Sequence, residues 1–266
     1  MAKLSFTTMA TPDRSSVEVI QMAKRYGYQG VDMRLGSYKS ELQMDSSIKA
    51  IRELRNIFDT EGILPSGLLC YAELDKKEPS CWEKFRDEIY RCLDISFELG
   101  SPSIRIWLSS PKQFDDSYGY IHRAVEMLAE ILDKDKSGVS IILQNHRKKV
   151  TALELAEIIT KVGSPRLGMA FSPEHSVIGN ENLNEVCNAV RPFTKQLYIA
   201  DVKLRDSEYT DVLPGKGDVP IGEIYDTFGG ENFKGWVTFK WEKIWAKDLE
   251  EPEIALPYFV QFWRHL

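Results

Sequence analysis

The sequence predicts a single (β/α)8 barrel, and three observations carry that prediction. Apolar, β-branched runs alternate with amphipathic stretches eight times along the 266-residue chain, a repeat of roughly 33 residues that matches the period and size of such a barrel. No Gly/Ser-rich or Pro-rich linker divides the chain, and 43% hydrophobic content is enough for one sizeable core. The most apolar run, Ser137 to His146, ends abruptly in Gln144, Asn145 and His146. Strands this apolar are buried on both faces, as in parallel sheets, and ligands collect at their carboxyl ends. A doubly wound open sheet is the competing architecture; it is disfavoured because no Gly-x-Gly-x-x-Gly follows the first strand.

Lys3 to Met9 is expected as the first strand, and Ser15 with Glu18 forms a capping box that opens a helix carrying Val17, Ile20 and Ala23. Val31 to Arg34 is a second strand. Its period of two places Asp32 and Arg34 on one face and Val31 and Met33 on the other. Asp32 and Arg34 make either a local ion pair or a ligand-binding pair. Ser47 to Thr60 is an amphipathic helix stopped by Gly62, and Ile63 to Tyr71 is the third strand. Next come a helix over Trp82 to Leu99, a strand over Ser103 to Leu108, a helix over Tyr118 to Leu132, and the strand ending at His146. A helix over Thr151 to Val162 follows, then strand Arg166 to Phe171, helix Leu183 to Val190 and strand Lys195 to Lys203. A helix over Pro220 to Phe228, entered from Asp218, the eighth strand over Gly235 to Trp241 and a helix over Pro252 to Phe262 complete the series.

Charge and composition narrow the functional classes. A net charge of −6 disfavours nucleic acid and anionic lipid as partners, since both are bound by clustered Lys and Arg. Cys70, Cys81, Cys92 and Cys187 are widely spaced without a Cys-x-x-Cys, so they are expected as reduced thiols of a cytoplasmic protein. No run approaches the ~20 apolar residues of a membrane span. A homo-oligomer is left open.

In a barrel of this kind the site is built at the carboxyl ends of the strands. The second half of the chain supplies Gln144-Asn145-His146, Phe171-Ser172-Pro173-Glu174-His175, Ala200-Asp201-Val202-Lys203 and Phe239-Lys240-Trp241-Glu242. His146 and His175 are candidate proton carriers or hydrogen-bonded structural residues. Trp107, Tyr71 and Trp241 could stack on a sugar ring or pack beneath loops. Gly215-x-Gly217 reads as a turn feeding a helix in preference to a phosphate cradle, and Arg147-Lys148-Lys149 as a solvated patch. His122 and His265 fall on helices, away from the strand ends.

Gly30-Val31-Asp32-Met33-Arg34, Pro173-Glu174-His175, Val202-Lys203, Gly215-Lys216-Gly217-Asp218-Val219 and Phe233-Lys234-Gly235-Trp236-Val237 together resemble the xylose-isomerase-like barrels. This superfamily of sugar phosphate isomerases and epimerases also holds endonuclease IV-type repair enzymes. The resemblance covers essentially the whole chain. It implies a sugar isomerase or epimerase acting on a small carbohydrate, or a non-catalytic relative that keeps the pocket. It also implies a divalent metal held by Glu, Asp, His and Glu on strands five to eight, the two Glu serving as bases. The matching positions here are Gln144, Ser172, Asp201 and Lys240, so no metal and no other cofactor is expected. Four histidines and an acidic chain argue against a multi-metal nuclease. The expected centre has Lys240, His146, His175 and Asp201 in the reaction, Asp201 being the counter-ion of Lys240. Gln144, Asn145, Ser172, Lys203, Arg34, Asp32, Trp107 and Glu242 are expected to contact the ligand.

Overall fold

A computed structural model of the chain describes residues 2–36, 42–74, 79–147, 149–206 and 208–266. Eight parallel strands close on themselves in the order β1-β10-β7-β6-β5-β4-β3-β2, which excludes the open-sheet alternative. These are β1 (Lys3–Thr7), β2 (Gly30–Arg34), β3 (Leu64–Leu74), β4 (Ser103–Leu108), β5 (Ser140–Gln144), β6 (Leu167–Phe171), β7 (Thr194–Ile199) and β10 (Trp236–Phe239). The helices are α1 (Ser16–Tyr26), α2 (Ile48–Glu61), α3 (Pro79–Leu99), α4 (Ser117–Lys134), α5 (Ala152–Val162), α6 (Pro173–Ile178), α7 (Leu183–Val190), α8 (Ile221–Phe228) and α9 (Pro252–Arg264). The capping box at Ser15 with Glu18 forms as the sequence dictates, and a second forms at Thr151 with Glu154. Gly27, Gly62 and Gly163 end their helices with positive φ, a conformation open to Gly without steric strain.

Strand alternation divides the molecule into two environments. Val31 and Met33, Ile104 and Ile106, Ile141 and Leu143, Leu197 and Ile199, and Val237 and Phe239 join the one large core cluster. The intervening residues face the lumen, where a separate small cluster of Ile142, Ala170 and Tyr198 forms. Below the mouth the lumen is largely polar. Ser5 and Thr238 share a 2.7 Å hydrogen bond between β1 and β10, and Gln196 donates to Thr238 and to Asp32.

The structure corrects the seventh strand. In place of one run from Lys195 to Lys203, β7 ends at Ile199, and the chain turns into an antiparallel ribbon of β8 (Asp201–Arg205) and β9 (Glu208–Val212). The cause is Asp201. Its carboxylate accepts hydrogen bonds from the backbone N–H groups of Val202, Gly215, Gly217 and Val219 at 2.8–3.1 Å, tying the ribbon to the loop that leads to α8. A Cβ on Gly217 would lie 2.3 Å from that carboxylate. The Gly215-x-Gly217 segment is therefore a turn whose N–H groups are already taken, as the turn reading expected. Asp218 accepts from Leu204 N–H instead of capping α8, whose cap residue is Pro220.

Replacing Asp201 by Asn strips an anionic acceptor from this set of buried donors and is expected to destabilise the fold by about 2 kcal/mol or more. Urea unfolding of the two proteins measures it, and a difference below ~0.5 kcal/mol would put Asp201 among ordinary surface sites.

Candidate functional site

A cavity of about 250 Å³ opens at the carboxyl ends of the strands, lined by residues that include Tyr71, Arg105, Trp107, Gln144, His146, His175, Tyr198, Lys240, Glu242 and Trp245. At its centre the chain leaving β10 places Lys240 with its ammonium 2.8 Å from Glu174 Oε1 and 3.1 Å from Glu242 Oε1. Lys240 is 7% and Glu174 is 2% exposed. Glu174 comes from the first turn of α6, a short helix set off by Pro173. Burial alone would push Lys240 down, but the two carboxylates outweigh it and hold its pKa above the ordinary lysine value. Burial likewise opposes ionisation of Glu242, yet Lys240 brings it below the usual carboxylate range. Burial raises Glu174, an effect Lys240 limits.

The imidazoles lie beside this triad, with His146 and His175 ring centroids 4.5 Å apart and their planes tilted by 57°. His175 Nε2 lies 3.4 Å from Lys240 Nζ. An ammonium has donors and no acceptor, so that nitrogen accepts and the ring proton belongs on Nδ1, which is buried without a partner among the described residues. Burial, then the Lys240 charge, lowers His146 to about 4 and His175 well below its ordinary value. Both rings are neutral at physiological pH.

The floor is fixed by hydrogen bonds between strands. Trp107 Nε1 donates to Gln144 Oε1 at 3.0 Å, and Gln144 Nε2 donates to Ser172 Oγ at 2.8 Å, linking β4, β5 and the end of β6. Beneath the cavity Tyr198 donates to Asp32 Oδ2 at 2.5 Å, and Gln196 donates to the same oxygen at 2.9 Å. Arg34 lies 5.7 Å from the Tyr71 ring and 5.5 Å from that of Trp245, two of the lining aromatics. Arg147 donates to the Tyr209 hydroxyl, and Lys149 pairs with Glu73 and sits over Trp107. The Arg147-Lys149 run is therefore engaged at the rim, in place of the solvated patch expected; Lys148 lies outside the described residues.

Of the residues singled out from sequence, Gln144, His146, His175, Lys240, Glu242 and Trp107 share the cavity wall, Ser172 braces Gln144, and Asp32 sits below. Asp201 is not the counter-ion of Lys240. It is committed to the backbone loop described above, and Glu174 and Glu242 take that role. On β7 the residue lining the cavity is Tyr198. Asn145 spends its amide on Ser172 N–H, Ser172 carbonyl and Ser176, which ties β5 to α6 and leaves it no place in the cavity lining. Lys203 is exposed on the ribbon, and Trp241 is buried against Phe239, donating to the Glu250 carbonyl. Arg105, Tyr198 and Glu174 were not identified as site residues from the sequence. Applying to Ser103–Leu108 the alternation that paired Asp32 with Arg34 would have flagged Arg105 with Trp107.

Among the described residues no group of three or more His, Cys, Asp or Glu is arranged to hold a metal ion, and no helix is long and apolar enough to cross a membrane.

Burial raises Asp32 to about 7, against the pull of Tyr198, Arg105 and Gln196. The folded state thus binds a proton that the unfolded chain releases near the ordinary aspartate value of 3.8. Stability from this group is full below that value, falls as pH rises from about 4 to 7, and is constant above, a span of about 4 kcal/mol. The unfolding free energy of D32N minus that of the native chain is expected to rise across this window when both are followed in urea. A flat difference would mean that Asp32 titrates normally.

A search of curated protein sequences returned no match. Solved structures match over nearly the whole chain. They include a 3-keto-D-glucoside 4-epimerase from E. coli (TM-score 0.77, 14% identity, 100% of each chain) and a D-psicose 3-epimerase from Clostridium cellulolyticum H10 solved with D-tagatose (0.77, 16%, 99% of this chain and 98% of that one). A xylose isomerase domain protein from Planctomyces limnophilus matches at TM-score 0.72 and 16% identity, over 99% of this chain and 96% of that one. At such identities the likeness is one of fold. The sequence profile described as xylose isomerase-like TIM barrel matches residues 20–255, and with the closed eight-stranded barrel this places the chain in the xylose isomerase-like TIM barrel family.

Proposed function

We propose that the chain acts on a small carbohydrate as an isomerase or epimerase of unusual construction, in which the Lys240 ammonium supplies the positive charge that the family takes from a divalent metal. The observation that carries this reading is a buried ammonium, fixed by two carboxylates, on the wall of a sugar-sized cavity. At the strand ends that bear the family's ligands the cavity offers the amide of Gln144, the phenol of Tyr198 and the ammonium of Lys240, while the hydroxyl of Ser172 is taken up behind Gln144. Divalent ions favour anionic oxygen or imidazole ligands and are repelled by a fixed cation. This donor set does not fit one, and no step of the reading uses one.

Isomerisation and epimerisation remove a proton beside a carbonyl while the carbonyl oxygen is stabilised. Lys240 is held too firmly protonated to act as base or Schiff-base amine. Two of its three N–H groups serve Glu174 and Glu242; the third makes the long 3.4 Å contact with His175 Nε2 and is the one that would exchange it for a substrate oxygen as charge develops there. The C–H proton passes to neutral His146 and the electron pair into the enediolate, whose oxygen Lys240 holds; a proton delivered to the opposite face of the same carbon gives the epimer, and one returned to the former carbonyl carbon, with the neighbouring hydroxyl proton passing to the other oxygen, gives the isomer. The aromatic rings of Tyr71, Trp107 and Trp245 suit the apolar faces of a sugar ring. The competing reading is a non-catalytic carbohydrate binder. It draws support from Gln144 where a carboxylate base would stand, and from imidazoles whose lowered pKa values make them weak bases.

Solvent deuterium exchange into a panel of ketoses and aldoses, with EDTA present, separates the two. Exchange that falls about 100-fold or more in K240M is expected for the enzyme; thermal stabilisation by a sugar without exchange is expected for the binder. Unchanged sugar affinity together with unchanged exchange in K240M would remove Lys240 from either account. Near-stoichiometric Mn, Mg, Co or Zn in unchelated protein would overturn metal independence.

A further inference from the structure

Arg105 is a second buried cation of the lumen, and its environment differs from that of Lys240. It projects from β4, is 2% exposed, and holds its guanidinium carbon 4.2 Å from the Trp107 ring centroid and 5.4 Å from that of Tyr71. The rings cover the guanidinium and take none of its N–H groups. Nε and Nη1 are buried with no hydrogen-bond partner among the described residues. A buried guanidinium with unused donors is costly, and Arg105 lines the same cavity as Lys240. In the closed strand order β4 lies four places from β10 in either direction, so Arg105 and Lys240 stand on opposite walls.

Lys240 is matched by Glu174 and Glu242, and Asp32 below and Asp211 at the rim bring further carboxyls, yet no described residue takes Nε or Nη1 of Arg105. A ligand carboxylate, with one negative charge and two acceptor oxygens, suits those two donors. A phosphate brings about −1.5 to −2 and three acceptor oxygens at pH 7, more than the unpartnered donors of Arg105 satisfy. The volume of about 250 Å³ lies below the ~300–1,000 Å³ typical of drug-sized ligands, which restricts the occupant to monosaccharide size.

We propose that the ligand is a monosaccharide-sized sugar acid whose carboxylate is bound by Arg105 between Trp107 and Tyr71, with its carbonyl or hydroxyl end turned to Lys240. This rests on the carbohydrate reading above and adds the acid group to it.

Calorimetric titration of the native chain, R105M and R105K at fixed ionic strength tests it with three matched probes: glucuronate and galacturonate, their parent hexoses, and the hexose 6-phosphates. The acids are expected to bind the native chain at least tenfold more tightly than the hexoses. That margin should vanish in R105M, with hexose affinity retained, and persist in part in R105K. Equal or tighter binding of the neutral hexoses or of the phosphates by the native chain overturns the proposal without need of any variant. So does an acid preference that survives in R105M. Binding of hexoses without acid preference would leave the carbohydrate reading standing and remove this one. Binding of a non-sugar carboxylate such as benzoate, dependent on Arg105, with no sugar of any class bound, would retain the carboxylate site and remove the carbohydrate reading. No binding by any probe overturns both.

Discussion

The ion triad of Lys240, Glu174 and Glu242 is the constraint on which the candidate site depends. An isolated ammonium at this burial would lose several kcal/mol of hydration, so neither the lysine nor the carboxylates can be placed there independently. Their sources are separate in sequence: Lys240 and Glu242 follow β10, whereas Glu174 enters from α6. The backbone N–H of Lys240 still reaches the carbonyl of Ile199 on β7, so the barrel ladder fixes the root of the ammonium before its side-chain partners act. The electrostatic consequence extends to the two imidazoles. A fixed cation at their edge, added to burial, keeps them neutral, and what the site can do by proton transfer follows from that.

Below the triad, two hydrogen-bonded arcs give the lumen its shape. One runs from Asp32 through Tyr198 and Gln196 to Thr238 and Ser5, joining β2, β7, β10 and β1. The other joins β4, β5 and the end of β6 through Trp107, Gln144 and Ser172. Gly67 on β3 makes room for the first: a Cβ there would lie 2.8 Å from Asp32 Oδ1. Networks of this kind fix side-chain orientation because each member that loses its partner becomes a buried unsatisfied group. Gln144 illustrates the point. Its carbonyl and amide are both occupied, which makes it a rigid wall and a poor candidate for a moving catalytic group.

The barrel was legible because its signal is distributed. Eight repeats, capping boxes and glycine stops each point the same way, and a misplaced boundary such as Lys195 to Lys203 leaves the count intact. The site was legible only where strand ends coincide with chemistry, as at Gln144, His146, His175 and Lys240. Asp201 was misassigned because its position after a strand says nothing of the loop fourteen to eighteen residues later whose N–H groups it accepts. Glu174 was overlooked for the converse reason: α6 has six residues, too short for periodicity to reveal, and only that turn aims the carboxylate at Lys240. Arg105 lay within a strand that was correctly placed and Tyr198 within the part of the seventh strand that forms, and alternation alone would have turned both inward.

Titration of the mouth follows from these placements. Histidine is the usual source of a charge change near neutrality, but burial and the Lys240 charge bring His146 to about 4 and hold His175 well below its ordinary value, which removes both from that role. Lys240 and Glu242 are displaced away from neutrality in opposite directions by each other. Carboxyls take over the role. Burial lifts Asp32 to about 7, and burial together with the Glu242 charge lifts Asp211, on the ribbon beside the cavity, to about 6. Rising pH therefore adds negative charge to the floor and the rim while the cations stay fixed, so the surroundings of the cavity are least negative on the acid side of neutrality. An anionic ligand held by Arg105 would be attracted most strongly there, and a neutral sugar would be nearly indifferent to the change.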